Sequence, residues 1–408
     1  MQAPATAATA TAVPFDQYNP SEEHLMLRRT VHDFAEREVE PQALESDRSE
    51  TFNRALFNRA GELGLLAITV PEAWGGAGLD ATAAVIMAEE ICWSDPGLGI
   101  SVLAHGTLFV HNLYTNGNDE QRARFLPKTV TGEKLAGLCM TEPDSGTDVL
   151  GMKTRAVRDG DVYKLTGRKM FITNGYVDAG ESGGHHETGD CYIVYAKTGD
   201  EISSFVVEKG MPGFSLGQRL KDKTGLRAST TAELVFDDVP VPLANRLGEE
   251  GDSTIHMMRN LELERLVIAA MSLGMARRCL EIMNRYASER KAYGKPINSF
   301  GQIQRHIAES YTEYMVGRSF VYELAHKIQL DKPGHRMETD AAKLFTATMA
   351  KNVADRAMQV LGGYGYFGES VVERLWRAAK LNEIGGGTLE AHHKNITRDL
   401  ARHPEAIR

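Results

Sequence analysis

Apolar residues recur at helical spacing through the first third of the chain. Leu27, Val31, Phe34 and Ala35 share one face. Ser21 ahead of them, with Glu22 and Glu23 following, predicts a capped helix start. A second run over 53–63 aligns Leu56, Ala60 and Leu63 and stops at Gly64. The string 71–78, Pro-Glu-Ala-Trp-Gly-Gly-Ala-Gly, reads as a turn. Ala83, Val85, Ile86, Ala88 and Ile91 predict a further helix, ended by Asp95-Pro96-Gly97. From about 135 to 245 the texture changes to short alternating segments, 162–166, 192–196, 204–207 and 232–236, which predict an antiparallel sheet. Helical spacing returns over 253–288, 303–330 and 340–361, a succession that suggests a helix bundle. The expected α+β architecture is therefore a disordered tail over 1–17, a helical domain over 18–135, a β domain over 136–248 and a helical bundle over 249–408.

Composition narrows this picture. The 408 residues suffice for several domains and a sizeable core, and 42% hydrophobic with 25% charged residues is ordinary for a globular protein. A formal charge of -9 argues against nucleic acid as a partner, while a local basic site can still hold an anionic ligand. Cys92, Cys139, Cys191 and Cys279 lack CxxC spacing and read as free thiols. No apolar run approaches the ~20 residues of a membrane span. Residues 1–14 are rich in Ala and Thr without Arg or Lys, unlike a mitochondrial presequence. The expected compartment is the bacterial cytoplasm or, with a presequence removed, the mitochondrial matrix. His185, His186 and Glu187 are metal-ligand types, but neighbours in a Gly-rich loop rarely converge on one ion. That segment reads as a solvated hairpin loop, and no metal is expected.

Five strings carry candidate chemistry. Cys139-Met140-Thr141-Glu142-Pro143-Asp144-Ser145-Gly146-Thr147-Asp148 is a loop of small donors in which Gly146 allows close backbone approach. Met170-Phe171-Ile172-Thr173-Asn174-Gly175 is a strand running into a turn. Arg290-Lys291-Ala292-Tyr293-Gly294-Lys295 is a basic helix end with a glycine stop. Gln359-Val360-Leu361-Gly362-Gly363-Tyr364-Gly365-Tyr366 and Gly385-Gly386-Gly387-Thr388-Leu389-Glu390 are glycine turns beside helices. Each alone fits an ordinary turn or cap. In this order, over nearly the whole chain from Ser21, they resemble the acyl-CoA dehydrogenase family.

The resemblance implies FAD as cofactor. It assigns the segment Leu138 to Thr147 to the flavin, through Leu138, Met140, Thr141, Gly146 and Thr147, with Thr147 also near the CoA arm. Phe171, Ile172 and Thr173 are expected to pack on the isoalloxazine, Phe171 replacing a frequent Trp. Arg290 is expected on the FAD pyrophosphate of a neighbouring subunit, where a bidentate guanidinium suits phosphate. A Gln usual in that region is Gly301 here, with Gln302 and Gln304 as substitutes. Gln359, Gly362 and Gly363 are expected to meet FAD across a subunit contact, and Thr388 and Glu390 to touch the flavin. Leu389 stands where the family has Ser. Ala378 after Arg377 stands where Asp is common and reads as a lost surface or interface pair.

The family keeps its catalytic carboxylate at one of two places. Here the late place is Gly386 and the early one is Glu264, within Leu261-Glu262-Leu263-Glu264-Arg265-Leu266. That pattern is similar to the isovaleryl-CoA branch and is shared by long-chain enzymes. It implies α,β-dehydrogenation of an acyl-CoA thioester, Glu264 removing the α-proton while the β-hydrogen leaves as hydride to the flavin. Glu262, Leu263, Arg265, Gly386 and Gly387 are the implied substrate neighbours. Two hydrogen bonds to the thioester oxygen would stabilise the developing enolate, one from a flavin ribityl hydroxyl and one from the Gly386 N–H. A free Glu titrates near ~4.3 and is a feeble base, so burial must raise it. Glu262 lies on another helix face, and Arg265 reads as a salt-bridge residue. The missing side chain at 386 would leave room for a branched acyl chain. Residues 83–93 and 98–108 are the expected pocket floor, with Trp74 and Trp93 either narrowing it or packing in the core. The implied partners are acyl-CoA, an electron-transferring flavoprotein and sister subunits in a homotetramer. Rival readings are a longer-chain dehydrogenase, an acyl-CoA oxidase and a catalytically silent acyl-CoA or flavin-binding protein. Oxidases usually carry an extra C-terminal domain that 408 residues do not accommodate, and Glu264 argues against the silent protein.

Overall fold

The computed structural model describes residues 16–178 and 186–407. The expected tail lies outside the described residues except for Asp16 and Gln17. These two are ordered by contacts, Gln17 O accepting from His326 Nε2 at 2.8 Å. Of the metal-type trio, His185 lies outside the described residues, and His186 Nε2 meets Arg219 at 2.7 Å.

Helix α1 (Glu22–Phe34) starts where the Ser21 side chain accepts from the His24 amide and runs through one π-turn into α2 (Glu40–Ser49). Asn53 caps α3 (Arg54–Glu62), and Gly64 at φ +74° turns the chain away. Every residue of α4 (Ala81–Ser94) is buried, as a helix apolar on all sides requires. Asp95-Pro96-Gly97 ends α4, as expected, but also starts α5 (Pro96–His105). The Asp95 carboxylate accepts from the Gly97 amide at 2.7 Å, and Pro96 occupies the first turn. The short α6 (Asn112–Asn116) and the longer α7 (Asp119–Val130) complete this region.

The middle sheet comprises β1 (Ala136–Cys139), β2 (Arg155–Asp159), β3 (Val162–Thr173), β4 (Cys191–Thr198), β5 (Glu201–Glu208), β6 (Phe214–Arg219), β7 (Thr231–Pro242) and β8 (Arg246–Leu247). Its order is β6-β7-β3-β2-β4-β5-β8, with β1 added to β4. The ladders are antiparallel except for β1 against β4 and the single Arg155–Lys197 bridge. Strand β4 is buried on both faces because helices cover one and the sheet's own apolar cluster covers the other.

The bundle comprises α8 (Ser253–Glu289), α9 (Gly301–Lys327), α10 (Arg336–Leu361) and α12 (Val371–Asn382), with the short α11 (Gly363–Tyr366) between the last two and α13 (Leu389–Arg402) against α10. A small hairpin of β9 (Lys291–Ala292) and β10 (Lys295–Pro296) follows α8. Helix α4 packs so closely on α8 that a Cβ at Gly274 would overlap the Glu89 carbonyl oxygen. Buried charges reinforce the contact. Glu89 pairs with Arg28 at 3.0 Å and Arg318 at 3.2 Å, and Glu90 with Arg277 at 2.5 Å. Ala378, expected at a surface or interface, is instead buried against Gly225 of the middle domain. Arg377 keeps partners without a neighbouring Asp, pairing with Asp47 and Glu373 at 2.6 Å each.

Replacing Gly274 by Leu forces α4 off α8. We expect a loss of about 2 kcal/mol or more of stability, read as a lower thermal midpoint; an unchanged midpoint would show that this helix pair has slack.

Candidate active site

Glu264 lies on the fourth turn of α8 with only 8% of its surface accessible. Its Oε2 makes no hydrogen bond within the described residues. Burial pushes its pKa above the ordinary carboxylate value, opposed by the cations of Arg265 and Lys343. Its charge also acts on Tyr195, which is buried on β4 and whose hydroxyl accepts from Asn112 Nδ2 at 3.3 Å. The carboxyl therefore sits where bundle, sheet and N-terminal helices meet.

Its neighbours on α8 are otherwise engaged. Glu262 Oε2 accepts from the Gly334 and His335 amides, each at 3.1 Å, and holds the turn before α10. Leu263 is buried in the main core. Arg265 Nε lies 3.2 Å from the buried Asp340 carboxylate. These three side chains thus have partners or packing of their own, whereas Glu264 Oε2 has none among the described residues.

Gly386 faces Glu264 from the turn before α13. A Cβ at 386 would lie 3.8 Å from Glu264 Oε1, so the two positions converge on one point. Gly386 has φ +66° and Gly387 φ +96°, a backbone that L side chains rarely adopt. The room expected beside Gly386 is not free. The Ile268 δ-methyl occupies the place its Cβ would take. Gly387 O accepts from Lys343 Nζ at 2.5 Å and His392 Nε2 at 3.0 Å. Thr388 caps α13 through the Ala391 amide, and Glu390 is exposed on the first turn.

The two strings expected to hold the flavin are brought together by a buried ion pair. Lys169 Nζ, fully buried, meets Glu142 Oε1 at 2.9 Å and the Met140 carbonyl at 3.0 Å. The Met170 amide donates to the Thr141 carbonyl at 2.8 Å. Beyond this tie β3 shifts register, and Phe171 takes φ +61° and turns its ring out, 65% exposed. Ile172 is buried, Thr173 is half-buried, and Leu138, Met140 and Thr141 are half-buried at the loop's start. Gly146 and Thr147 are exposed, and a Cβ at Gly146 would meet nothing within 4 Å. An outward aromatic ring on a left-handed residue, beside an open loop of small donors, fits a flat, partly apolar ring with polar edges.

Arg290, Gln359, Gly362 and Gly363 are not brought to this place. All four are exposed at the other end of the bundle. Arg290 follows α8 twenty-six residues after Glu264, about 39 Å along the axis at 1.5 Å per residue. Tyr286 and Tyr364, with ring centroids 6.3 Å apart, join those two helix ends. Gly301, Gln302 and Gln304 are exposed at the start of α9. Trp93 packs in the core under Arg278, 3.9 Å from its ring, and Trp74 beside Arg122. Among the described residues no group of three His, Cys, Asp or Glu is arranged to hold a metal.

The sequence reading missed Lys343, Asp340, His392 and Tyr195. The first two carried a signal: Asp340, Lys343 and Ala347 follow at helical spacing on a face that is otherwise apolar. Burying an ionisable pair on such a face needs a compensating partner.

A carboxyl whose folded pKa is raised weakens the fold once it ionises. Above that pKa the buried anion is penalised; below its unfolded value both states are neutral. Glu264→Gln should therefore raise the thermal midpoint at pH 8, with the gain shrinking as pH falls toward 4.5, the ordinary value. An equal gain at both pH values would contradict the burial argument.

Comparison with known proteins places the chain in a family. Residues 21–133, 137–239 and 254–401 match the family descriptions "Acyl-CoA dehydrogenase, N-terminal domain", "middle domain" and "C-terminal domain". The chain is 40% identical to a mitochondrial isovaleryl-CoA dehydrogenase of Pongo abelii, over 93% of this chain and 88% of the relative. A chain from a structure of the electron transferring flavoprotein of Acidaminococcus fermentans superimposes with a TM-score of 0.88 at 35% identity, covering 94% of this chain and 98% of the other. An acyl-CoA dehydrogenase of Bacillus anthracis complexed with FAD superimposes at 0.85 with 32% identity, covering 95% of this chain and 68% of that one. The chain belongs to the acyl-CoA dehydrogenase family.

Proposed function

We propose that this enzyme dehydrogenates a short branched acyl-CoA such as isovaleryl-CoA, with FAD as cofactor and an electron-transferring flavoprotein as acceptor. The observation that carries the reading is the buried Glu264 carboxyl, with Oε2 unpartnered and Oε1 3.8 Å from the Cβ position of Gly386. The mitochondrial isovaleryl-CoA dehydrogenase relative supports the substrate, and the Bacillus anthracis complex supports the cofactor.

Glu264 takes the α-proton on its free oxygen. Its raised pKa makes it a stronger base than an exposed Glu. Among the described residues the Gly386 N–H has no acceptor in the chain, so it is available to the thioester oxygen as negative charge develops there. Ile268 bounds the acyl chain beside the base. Phe171, Ile172 and Thr173 with Met140 and Thr141 would hold the flavin, and Thr147 the CoA arm. Thr388 and Glu390 stand at the turn's far edge. Bound FAD would supply the acceptor for the β-hydrogen.

Arg290, Gln359, Gly362 and Gly363 act on the cofactor of a sister subunit in a homotetramer. Their distance from Glu264 along α8 and the exposed Tyr364, Tyr366 and Phe367 at the same end support that arrangement. Among the described residues no helix is long and apolar enough to cross a membrane. The bacterial cytoplasm or the mitochondrial matrix is the proposed compartment.

The test is anaerobic flavin bleaching against butyryl-, isovaleryl- and palmitoyl-CoA. Wild-type protein should bleach fastest with isovaleryl-CoA. Glu264→Gln should keep its yellow colour and lose about 10²-fold to 10⁴-fold or more in rate. Near-normal bleaching by that variant removes Glu264 as base, and a preference for palmitoyl-CoA replaces the branched substrate with a long one.

A further inference from the structure

The glycine turn that faces the base has no side chain to hold it. Gly385, Gly386 and Gly387 are consecutive, and two of them have positive φ. Glycine has the largest backbone freedom to lose on folding, so a productive direction for the Gly386 N–H needs outside anchors. One end is fixed within the chain's own turn, the Gly385 amide donating to the Leu381 carbonyl at 2.7 Å. At the other end the Gly387 carbonyl receives two buried donors, Lys343 Nζ at 2.5 Å and His392 Nε2 at 3.0 Å.

We propose that Lys343 and His392 are positioning residues for the reaction: by gripping the Gly387 carbonyl they aim the Gly386 N–H at the thioester oxygen, and Lys343 also sets the charge seen by Glu264. This rests on the reading in which Glu264 is the base and Gly386 supplies an enolate-stabilising donor.

The groups facing Lys343 are Glu264 and Arg265 on α8, Asp340 on its own helix, Glu383 in the turn after α12 and His392 on α13. Burial lowers the Lys343 pKa to about 8, partly offset by Glu264. The amine keeps an N–H for Gly387 in either charge state. His392 is different. Its Nδ1 faces Asp340 Oδ1 at 2.5 Å and its Nε2 faces Gly387 O, so both nitrogens meet acceptors. Burial holds the ring below the ordinary His value. A neutral ring has one N–H for two acceptors, which makes Lys343 the donor present under all conditions. Because Lys343 Nζ is directed to the carbonyl, its cation moderates Glu264 from nearby without pairing with it.

The test uses the FAD-loaded enzyme and Lys343→Met. Acetoacetyl-CoA has an acidic C2 proton, and its near-ultraviolet enolate band reports stabilisation at the thioester oxygen without turnover. In the variant the enolate fraction at pH 7 should fall about tenfold. The rate kcat should fall about tenfold to a hundredfold with little change in KM, as expected for a misplaced donor. The acidic limb of kcat/KM should move to higher pH, since loss of a nearby cation raises the base's pKa. A purely structural lysine would lower the amount of folded enzyme and move neither the enolate titration nor that limb. Unchanged titration and limb in folded Lys343→Met overturn the assignment. If that variant takes up no flavin, His392→Gln and His392→Ala decide. The amide can still donate to Gly387, so Gln should retain most activity while Ala loses about tenfold; equal activity of the two overturns the assignment. Wild-type turnover of isovaleryl-CoA separates the two levels. Wild-type activity with unaltered variants sinks only the positioning role, whereas an inactive yellow wild type sinks both.

Discussion

A carboxyl shut away from water, with one oxygen left unpartnered, is the constraint around which this molecule is arranged. An unsatisfied buried polar group costs about 1–3 kcal/mol, and more when charged. The surrounding chain contains enough cations to remove that cost, yet none is aimed at Glu264. Arg265 is turned to Asp340 and Lys343 to the Gly387 carbonyl. Had either formed a direct ion pair with Glu264, the carboxyl would be held below its ordinary value and would make a poor base. The arrangement keeps the carboxyl reactive at the expense of stability.

Holding such a group requires rigid walls on every side, and the three domains supply them at one junction. Helix α8 carries Glu264 and is fixed against α4 by close packing at Gly274 and by the Glu90–Arg277 pair, while Glu89 ties α4 to Arg28 on α1 and Arg318 on α9. The sheet contributes Tyr195. Asn174, at the end of β3, donates to the carbonyls of Ser101 on α5 and Ala136 on β1, both at 3.0 Å. That single amide joins the end of β3 to both the helical domain and strand β1.

Much of this was legible in the sequence, and the exceptions have physical reasons. Helices with one apolar face, such as α1 and α3, announce themselves by period, and their caps Ser21 and Asn53 follow local rules. Helix α5 was not foreseen because Asp-Pro-Gly was read only as the stop of α4, whereas it is both a stop and a start. Strand β3 is continuous from Val162 to Thr173, where 162–166 and the strand entering the turn at 170–175 read as separate pieces, because register shifts beyond Leu165 and at Phe171 break its alternation. Lys343 escaped notice because a lysine in a helical run is usually solvated, although its place on an otherwise apolar face was a signal against that. The space beside Gly386 was misjudged for a related reason. Its occupant, Ile268, sits four residues after Glu264 on the same face of α8, a neighbour that helical spacing places beside the base but that no loop motif names.

Ile268 changes how the missing side chain at 386 should be understood. If the glycine only made a hole, a larger or branched acyl chain would fill it and selectivity would follow from volume. The δ-methyl already overlaps the site of the absent Cβ, so on the proposed reading the wall of the acyl pocket there is an aliphatic branch carried on the same helix as the proposed base. A methyl contact discriminates weakly, about 1–3 kcal/mol per methylene. On that reading, selectivity at this wall follows the shape of one side chain, coupled through four residues of helix to the position of the carboxyl. Enlarging the pocket at Ile268 and moving the base are then not independent changes, since the two groups share one rigid turn of α8.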